Sequence, residues 1–414
     1  MKVVYLTWGE TPRSYGVYGS QVLNQFIETF KITEDSEFYF IAGVPIIHSG
    51  LVREKISYFD EITKVKKKLS GINFHWLTLF SSQNFVNSNK RTFVLLHFIS
   101  HYLLKLKLSK IKPDIVHCRS YHAAWAALRV KEKYHLNYKV IFDGRGLWPE
   151  EIALKNNYAD DTTNYRFLKS IESKNLIKAD ISVAVSAPMA KHYTELGAEN
   201  VKTIFLSSAT KMLKSSGCES VGNKKNELVF CYVGALSVDT WHKPNELLKL
   251  YNHLRHILPN TKLMIVTTSN HDAIRKCFSD IPDDEVLITQ TKTVNELKEK
   301  LDKADIGLMS YFAPLTSREV TLGSSVLAVK TAEYLAAGLP MLVNSYCGGA
   351  AEIVSDHSVG IAYDPSTYQE LTSESIKLLL SNTMREKMQN LAYDLFDYKQ
   401  NAKRYKNMYL ELTE

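Results

Sequence analysis

Two side chains of opposite charge, Lys330 and Glu333, stand three residues apart in a segment predicted to form a helix that ends at Gly338. Residues at this spacing share one face of a helix. A carboxylate there can accept hydrogen bonds from the vicinal hydroxyls of a ribose, and the helix N-terminus suits a phosphate. The segment therefore favours a nucleotide site, with a solvent-exposed Lys–Glu pair worth a few tenths of a kcal/mol as the alternative.

Polar residues also follow two predicted strands of the first half. His117 ends the strand predicted at 115–117 and Arg119 follows it, whereas Asp143 and Arg145 follow the strand predicted at 139–142. Ligands of open α/β sheets bind outside the carboxyl ends of the strands. Arg119 is therefore placed to face an anion, and His117 to hydrogen-bond a sugar or to be a buried structural histidine. Asp143 and Arg145 are catalytic candidates or a structural ion pair.

A glycine-containing loop follows the first predicted strand. Gly16 and Gly19 open a helix, as they would in a dinucleotide-binding loop. Their G-x-x-G spacing differs from G-x-G-x-x-G, so a nicotinamide site is not favoured. The alternatives are a loop that covers a ligand and a plain turn with a helix start.

Short apolar runs rich in β-branched and aromatic residues alternate with helix-like segments along the chain. This alternation predicts an α/β fold with parallel sheets covered on both faces. The alternation breaks once, in a polar, serine-rich stretch, and then restarts. We therefore predict two Rossmann-like domains at 1–206 and 228–392, a linker at 207–227, and a terminal helix at 393–414 that braces the domains.

The charge and cysteine content narrow the functional classes. Residues 51–112 hold 12 basic and 3 acidic residues, whereas the whole chain has a net charge of +7. Apolar residues interleave these charges, so an anionic membrane surface is one interpretation and a solvated face is another; no motif indicates nucleic acid. The five cysteines show no zinc-binding spacing, and no metal site is predicted.

The segment Lys330-Thr-Ala-Glu333-Tyr-Leu-Ala-Ala-Gly338-Leu-Pro340 resembles the donor-binding motif of glycosyltransferase family 4. This family has the GT-B fold, in which two Rossmann-like domains face each other across a cleft. The resemblance implies that Glu333 binds the nucleotide ribose. The first glutamate of the family's E-x7-E pattern corresponds to Ser325 in this chain. By this resemblance, Ser324 and Ser325 are both expected to lie beside the donor.

A second segment, Tyr232-Val-Gly234-Ala235-Leu followed by Lys243, is similar to the family's Y-x-G-R-L…K pattern. There the glycine admits a phosphate, and the arginine and lysine neutralise the diphosphate. Ala235 replaces the arginine, so Lys330, or alternatively Arg318, is expected to supply the missing charge. The resemblance also implies that the loop of Gly16 and Gly19 lies over the diphosphate and the acceptor.

The resemblance implies a retaining, metal-independent transferase that moves a sugar from a nucleotide diphosphate to a glycan or lipid-linked glycan, as in surface polysaccharide synthesis. No resident cofactor is expected, since the nucleotide sugar is a co-substrate with either uracil or guanine as its base. We expect a cytoplasmic protein, in contact with the inner face of the plasma membrane if the basic stretch binds lipid. The alternatives are a nucleotide-sugar epimerase of the same fold and a catalytically silent subunit of a glycosylation complex.

Overall fold

A computed structural model of the chain describes residues 1–10, 12–14, 16–33, 36–45, 55–80, 90–215, 227–237, 241–311, 313–380 and 382–414. The chain forms two compact units. The first comprises Met1–Phe205 and Asn401–Glu414, and the second comprises Leu206–Gln400. Most of the predicted linker, residues 216–226, lies outside the described residues.

Each unit is built on a parallel sheet. The first has the strand order β3-β2-β1-β4-β5-β6-β7 and the second the order β10-β9-β8-β11-β12-β13. The strands are β1 (Lys2–Trp8), β2 (Glu37–Pro45), β3 (Asn73–Leu79), β4 (Ile115–Arg119), β5 (Lys139–Asp143), β6 (Ile181–Ala184), β7 (Val201–Thr203), β8 (Leu228–Val233), β9 (Thr261–Val266), β10 (Val286–Thr289), β11 (Ile306–Met309), β12 (Met341–Asn344) and β13 (Gly360–Tyr363).

Helices connect successive strands, as parallel pairing requires. A π-helix at Tyr18–Asn24 runs directly into the first α-helix. The α-helices are α1 (Gln25–Ile32), α2 (Lys55–Lys68), α3 (Lys90–Ile111), α4 (Ser120–Tyr134), α5 (Trp148–Lys155), α6 (Thr163–Lys178), α7 (Ala187–Glu195), α8 (Thr210–Leu213), α9 (Pro244–Ile257), α10 (His271–Cys277), α11 (Val294–Leu301), α12 (Ser317–Ser325), α13 (Val329–Ala337), α14 (Gly348–His357), α15 (Ser373–Leu378), α16 (Asn382–Phe396) and α17 (Tyr398–Glu411).

Both strand orders are those of doubly wound sheets, so the predicted α/β class with two Rossmann-like units is confirmed. Every residue of β4, β6, β11 and β12 is buried, as expected for strands covered on both faces. In each unit the direction in which successive strands are added to the sheet reverses at one place. This place lies between β1 and β4 in the first unit and between β8 and β11 in the second. Ligands of such sheets bind at these switch points.

The C-terminal segment differs from the prediction of one helix at 393–414. It forms two helices, α16 and α17, which are separated at Asp397. The Asp397 carboxylate accepts hydrogen bonds from the Thr210 hydroxyl, at 2.6 Å, and from the Lys399 backbone N–H, at 2.9 Å. A carboxylate held this way caps the new helix and ends the old one. The segment consequently contributes α16 to the second unit and most of α17 to the first.

Candidate functional site

The switch point of the second unit is organised by Tyr334 on α13. The Tyr334 hydroxyl accepts a hydrogen bond from the Val233 backbone N–H at 2.8 Å, and carbonyl oxygens of Cys231 and Leu308 lie 3.2 Å from it. It thus satisfies backbone groups of β8 and β11 near the point where these strands diverge. A Cβ on Gly307 would lie 2.6 Å from the Tyr334 ring, so this close packing requires glycine.

Helix α13 ends where the sequence predicts. Gly338 adopts φ +73° at the helix C-terminus, a left-handed conformation that glycine adopts without strain. With Tyr334 fixed on the sheet, the helix face carrying Lys330 and Glu333 is also fixed. Lys330 is 7% exposed and Glu333 is half-buried. The solvent-exposed Lys–Glu pair that served as the alternative interpretation is therefore wrong for Lys330.

The two predicted donor segments meet at Lys330. A Cβ built on Gly234, which follows β8 with φ +121°, would lie 3.2 Å from Lys330 Nζ. The ammonium also lies 4.0 Å from the ring centroid of Tyr232, in a cation–π contact. Lys330 Nζ has no hydrogen-bond partner among the residues that the structure describes. A buried ammonium beside a half-buried glycine backbone is a suitable site for an anion.

Burial gives this pair unusual proton affinities. Desolvation lowers the pKa of Lys330 to about 7, an effect that nearby Cys347 and Glu333 partly oppose. Desolvation also raises the pKa of Glu333 to about 7, although Lys330 counteracts it. Both charged forms are thus disfavoured in the free protein, and an anionic ligand that reaches Lys330 would restore its charge.

The other predicted donor residues lie on separate elements of the second unit. Lys243 is exposed and stands directly before Pro244, the first residue of α9. Arg318 is half-buried in the first turn of α12. Ser324 and Ser325 end α12, and a short connection separates them from the start of α13 at Val329. Both serine hydroxyls donate to the Thr321 carbonyl, at 2.9 and 3.0 Å.

The two serines lie at a helix end because α12 begins upstream of them, at a start that was not predicted from the sequence. Thr316 and Glu319 form a capping box that begins α12, and the T-x-x-E spacing is a recognisable signal for it. The N-terminus of α14 packs closely on the end of this helix, because a Cβ on Gly348 would collide with the Ser324 backbone. The predicted contact of both serines with the donor stays a prediction.

In the first unit, the candidate catalytic residues form one buried network. The Asp143 carboxylate, fully buried at the end of β5, lies 2.8 Å from Arg145 Nη2 and 3.3 Å from His117 Nε2. Tyr405 of α17 donates its hydroxyl to Asp143 at 3.2 Å and accepts from Arg145 at 2.8 Å. Tyr409 lies 2.7 Å from His117 Nδ1. The sequence predicted a helix here but did not connect its tyrosines with the network.

Both ring nitrogens of His117 therefore have protein partners, and the geometry fits a positioning role better than direct contact with a sugar. Burial lowers the pKa of His117 and works to raise that of Asp143, but Arg145 and His117 hold the pKa of Asp143 at about 2. Arg145 has φ +64°, a strained backbone for a residue with a side chain. Its Nε and Nη1 atoms, and Asp143 Oδ1, have no partner among the described residues.

Arg119 and the glycine loop complete the first unit's switch point. Arg119 ends β4 and pairs with Glu10 at 3.4 Å, and its buried Nη1 has no partner in the described part of the chain. Gly16 has φ +63° and open space around its Cα. A Cβ on Gly19 would lie 2.6 Å from the Ser14 carbonyl, so the loop can close against the π-helix only with glycine there.

The chemistry available is anion binding in the second unit and a charged, buried network in the first. Among the described residues, no group of three or more His, Cys, Asp or Glu side chains is arranged to hold a metal ion. In the described part of the chain, no helix combines the length and apolar character needed to cross a membrane.

Two protein-family models match the chain. The model described as glycosyl transferases group 1 matches residues 218–395, and the model described as glycosyltransferase family 4 matches residues 72–205. An uncharacterized glycosyltransferase of Methanocaldococcus jannaschii is 23% identical over 332 residues, which cover 76% of this chain and 79% of that protein.

Solved structures share the fold over the whole chain. The structure of Anabaena HepE in complex with UDP has a TM-score of 0.66 at 14% identity, covering 99% of this chain and 100% of that one. The apo form of the lipopolysaccharide outer core galactosyltransferase WaaB has a TM-score of 0.65 at 14% identity, covering 99% of each chain. With family matches over about three quarters of its length and two doubly wound units, the chain belongs to glycosyltransferase family 4 and has the GT-B fold.

Proposed function

We propose that this glycosyltransferase uses a nucleotide diphosphate sugar as donor and retains the anomeric configuration on transfer. The observation that carries the proposal is the buried Lys330 ammonium, which has no hydrogen-bond partner in the described residues and lies against Gly234. A buried, unpaired charge is costly unless a ligand pairs with it. A diphosphate offers that pairing, and the UDP bound in the Anabaena structure of the same fold supports this class of ligand.

Each donor residue has a separate task in this proposal. Gly234 admits the diphosphate to the backbone, Lys330 neutralises it, and exposed Lys243 adds a second cation. Glu333, one turn along α13 from Lys330, accepts hydrogen bonds from the ribose hydroxyls. The leaving diphosphate gains negative charge in the transition state, so cations fixed before the reaction lower its barrier.

The acceptor hydroxyl attacks the anomeric carbon on the face from which the diphosphate leaves, and a phosphate oxygen of the leaving group takes the acceptor's proton. No metal ion is needed in this scheme, because lysine ammonium groups take its electrostatic role. We propose a glycan or lipid-linked glycan of the cell surface as acceptor. The galactosyltransferase of similar fold, which acts on the lipopolysaccharide outer core, supports that class.

A thermal-shift panel of nucleoside diphosphates and their sugars identifies the donor, since a ligand that binds only the native state raises the melting temperature. The best donor is then incubated with acceptors in the presence of a chelator, and the product's anomeric configuration is read by NMR. Transfer with retention supports the proposal. Epimerised sugar nucleotide formed without acceptor would establish the epimerase alternative. If the Glu333→Gln and Lys330→Gln variants sustain transfer as the wild type does, the donor site is refuted. Absence of transfer by the wild type with every donor and acceptor would favour the silent-subunit alternative.

A further inference from the structure

Helix α3 has an exposed apolar face opposite its buried one. The buried face of its described side chains includes His97, Leu104 and Leu108. On the other side, four large apolar side chains are open to solvent: Phe98 at 52%, Ile99 at 49%, Tyr102 at 46% and Leu106 at 45% exposure. Phe98, Tyr102 and Leu106 follow the i, i+4, i+8 spacing of a single stripe along the helix. Contiguous exposed apolar side chains of this kind mark an interaction surface.

Cations border this face, and acidic residues are absent from the helix. Residues 90–113 contain no Asp or Glu. Lys133 of the adjacent helix α4 lies 4.6 Å from the Phe98 ring centroid, and Lys105 lies 5.9 Å from that of Tyr102. The neighbouring carboxylate of Glu132 is paired with Lys178 and so is compensated. Lys110 extends the cationic border toward the end of the helix.

We propose that this α3 face, comprising Phe98, Ile99, Tyr102 and Leu106, docks on an anionic lipid surface, with the apolar side chains in the headgroup–acyl boundary. The inference deepens the proposed function and rests on it in one respect, since a lipid-linked acceptor would lie at such a surface. Lysines bordering the face would pair with anionic headgroups, as in helices that lie in a membrane interface.

Charge favours a membrane over the other occupants. Two copies of this chain meeting through the α3 face would bring Lys105, Lys110 and Lys133 against their equivalents, and like charges at an interface are repulsive. Nucleic acid would satisfy the lysines but would leave the four apolar side chains without an apolar environment. An anionic bilayer satisfies both groups at once.

The test is flotation of the full chain with vesicles of phosphatidylcholine alone or with about 30% phosphatidylglycerol. The wild type is expected to float with the anionic vesicles at low salt and to be released by high salt, which screens surface charges. The Lys105→Gln, Lys110→Gln, Lys133→Gln triple variant should partition about 100-fold less, equivalent to ~1 kcal/mol per lysine. The Phe98→Gln, Leu106→Gln variant should partition at least about tenfold less.

The matched control is Leu315→Gln, Leu378→Gln, which removes two apolar side chains that are 91% and 78% exposed in the second unit. It should float as the wild type does. Thermal unfolding and calorimetric donor binding, measured on every variant, show whether the fold is intact. Equal flotation of the Phe98→Gln, Leu106→Gln variant, or no binding to anionic vesicles at low salt, overturns the inference.

Two further results separate this proposal from others. A wild-type dimer in light scattering that Phe98→Gln and Leu106→Gln convert to monomer would assign the α3 face to a second copy and overturn membrane docking. A protein that floats but neither binds nor transfers a nucleotide sugar would refute the proposed function while leaving the membrane surface in place.

Discussion

Affinity for a nucleotide sugar should fall as pH rises above 7, because Lys330 must be protonated to hold the diphosphate. In the free protein, burial lowers the pKa of Lys330 to about 7. A bound diphosphate stabilises the ammonium and raises this pKa toward its ordinary value. Binding therefore takes up a proton wherever the free protein has lost it.

The size of the effect follows from the two pKa values. With a free-state pKa of about 7 and a bound-state pKa above about 10, the ammonium is almost fully charged at pH 6 and about one-tenth charged at pH 8 in the free protein. The association constant should consequently drop about tenfold from pH 6 to pH 8, equivalent to about 1.4 kcal/mol. Proton uptake should be about half a proton at pH 7 and nearly one at pH 8.

Isothermal titration calorimetry in buffers of different ionisation enthalpy measures both quantities. The Lys330→Gln variant should bind weakly and without this pH slope. The matched control, Lys243→Gln, removes an exposed lysine and keeps Lys330, so it should bind more weakly but retain the slope. Wild-type affinity that is flat from pH 6 to pH 8, or an unchanged slope in Lys330→Gln, refutes the reasoning.

Three further predictions concern the residues around the two switch points. Gly234→Ala should cost about 1–3 kcal/mol of stability and weaken donor binding in calorimetry, since φ is +121° and the new Cβ would lie 3.2 Å from Lys330 Nζ. The control Gly197→Ala, also at positive φ, should be destabilised with its donor affinity unchanged. Equal donor affinities of the two variants would contradict a close approach of the donor to Gly234. Tyr405→Phe removes the hydroxyl shared by two charged groups and should lower the free energy of unfolding in urea by about 1–3 kcal/mol; a change below about 0.5 kcal/mol would show that the network is not stabilising. Asp143 has a pKa lowered from 3.8 to about 2, so the stability of the wild type relative to Asp143→Asn should be constant above about pH 4 and shrink as pH falls toward 2; a difference that grows on acidification would contradict this sign.

Much of the second unit could be predicted because its signals are local. Helix α13, its end at Gly338 and the strands on either side of it follow from apolar periodicity and glycine chemistry. The resemblance of two separate segments to family 4 placed Lys330 near Gly234, although about a hundred residues separate them. The burial of Lys330 could not be read from the sequence, since a Lys–Glu pair one turn apart is more often exposed.

The first unit's network shows what local patterns cannot supply. His117, Asp143 and Arg145 lie at or just after the ends of the predicted strands, so their common location was expected from sheet topology. Their hydrogen-bond partners Tyr405 and Tyr409 come from a helix more than 250 residues away in the chain. Only tertiary packing decides that the final helix covers these residues, and that packing gives both ring nitrogens of His117 a protein partner.

A crystal structure of the protein with a nucleoside diphosphate most directly tests whether the turn of α13 holds the donor. We predict a phosphate oxygen within hydrogen-bonding distance of Lys330 Nζ, close to the Gly234 backbone, and ribose hydroxyls at the Glu333 carboxylate. A nucleotide bound elsewhere, with Lys330 still unpaired, would contradict the assignment of this site.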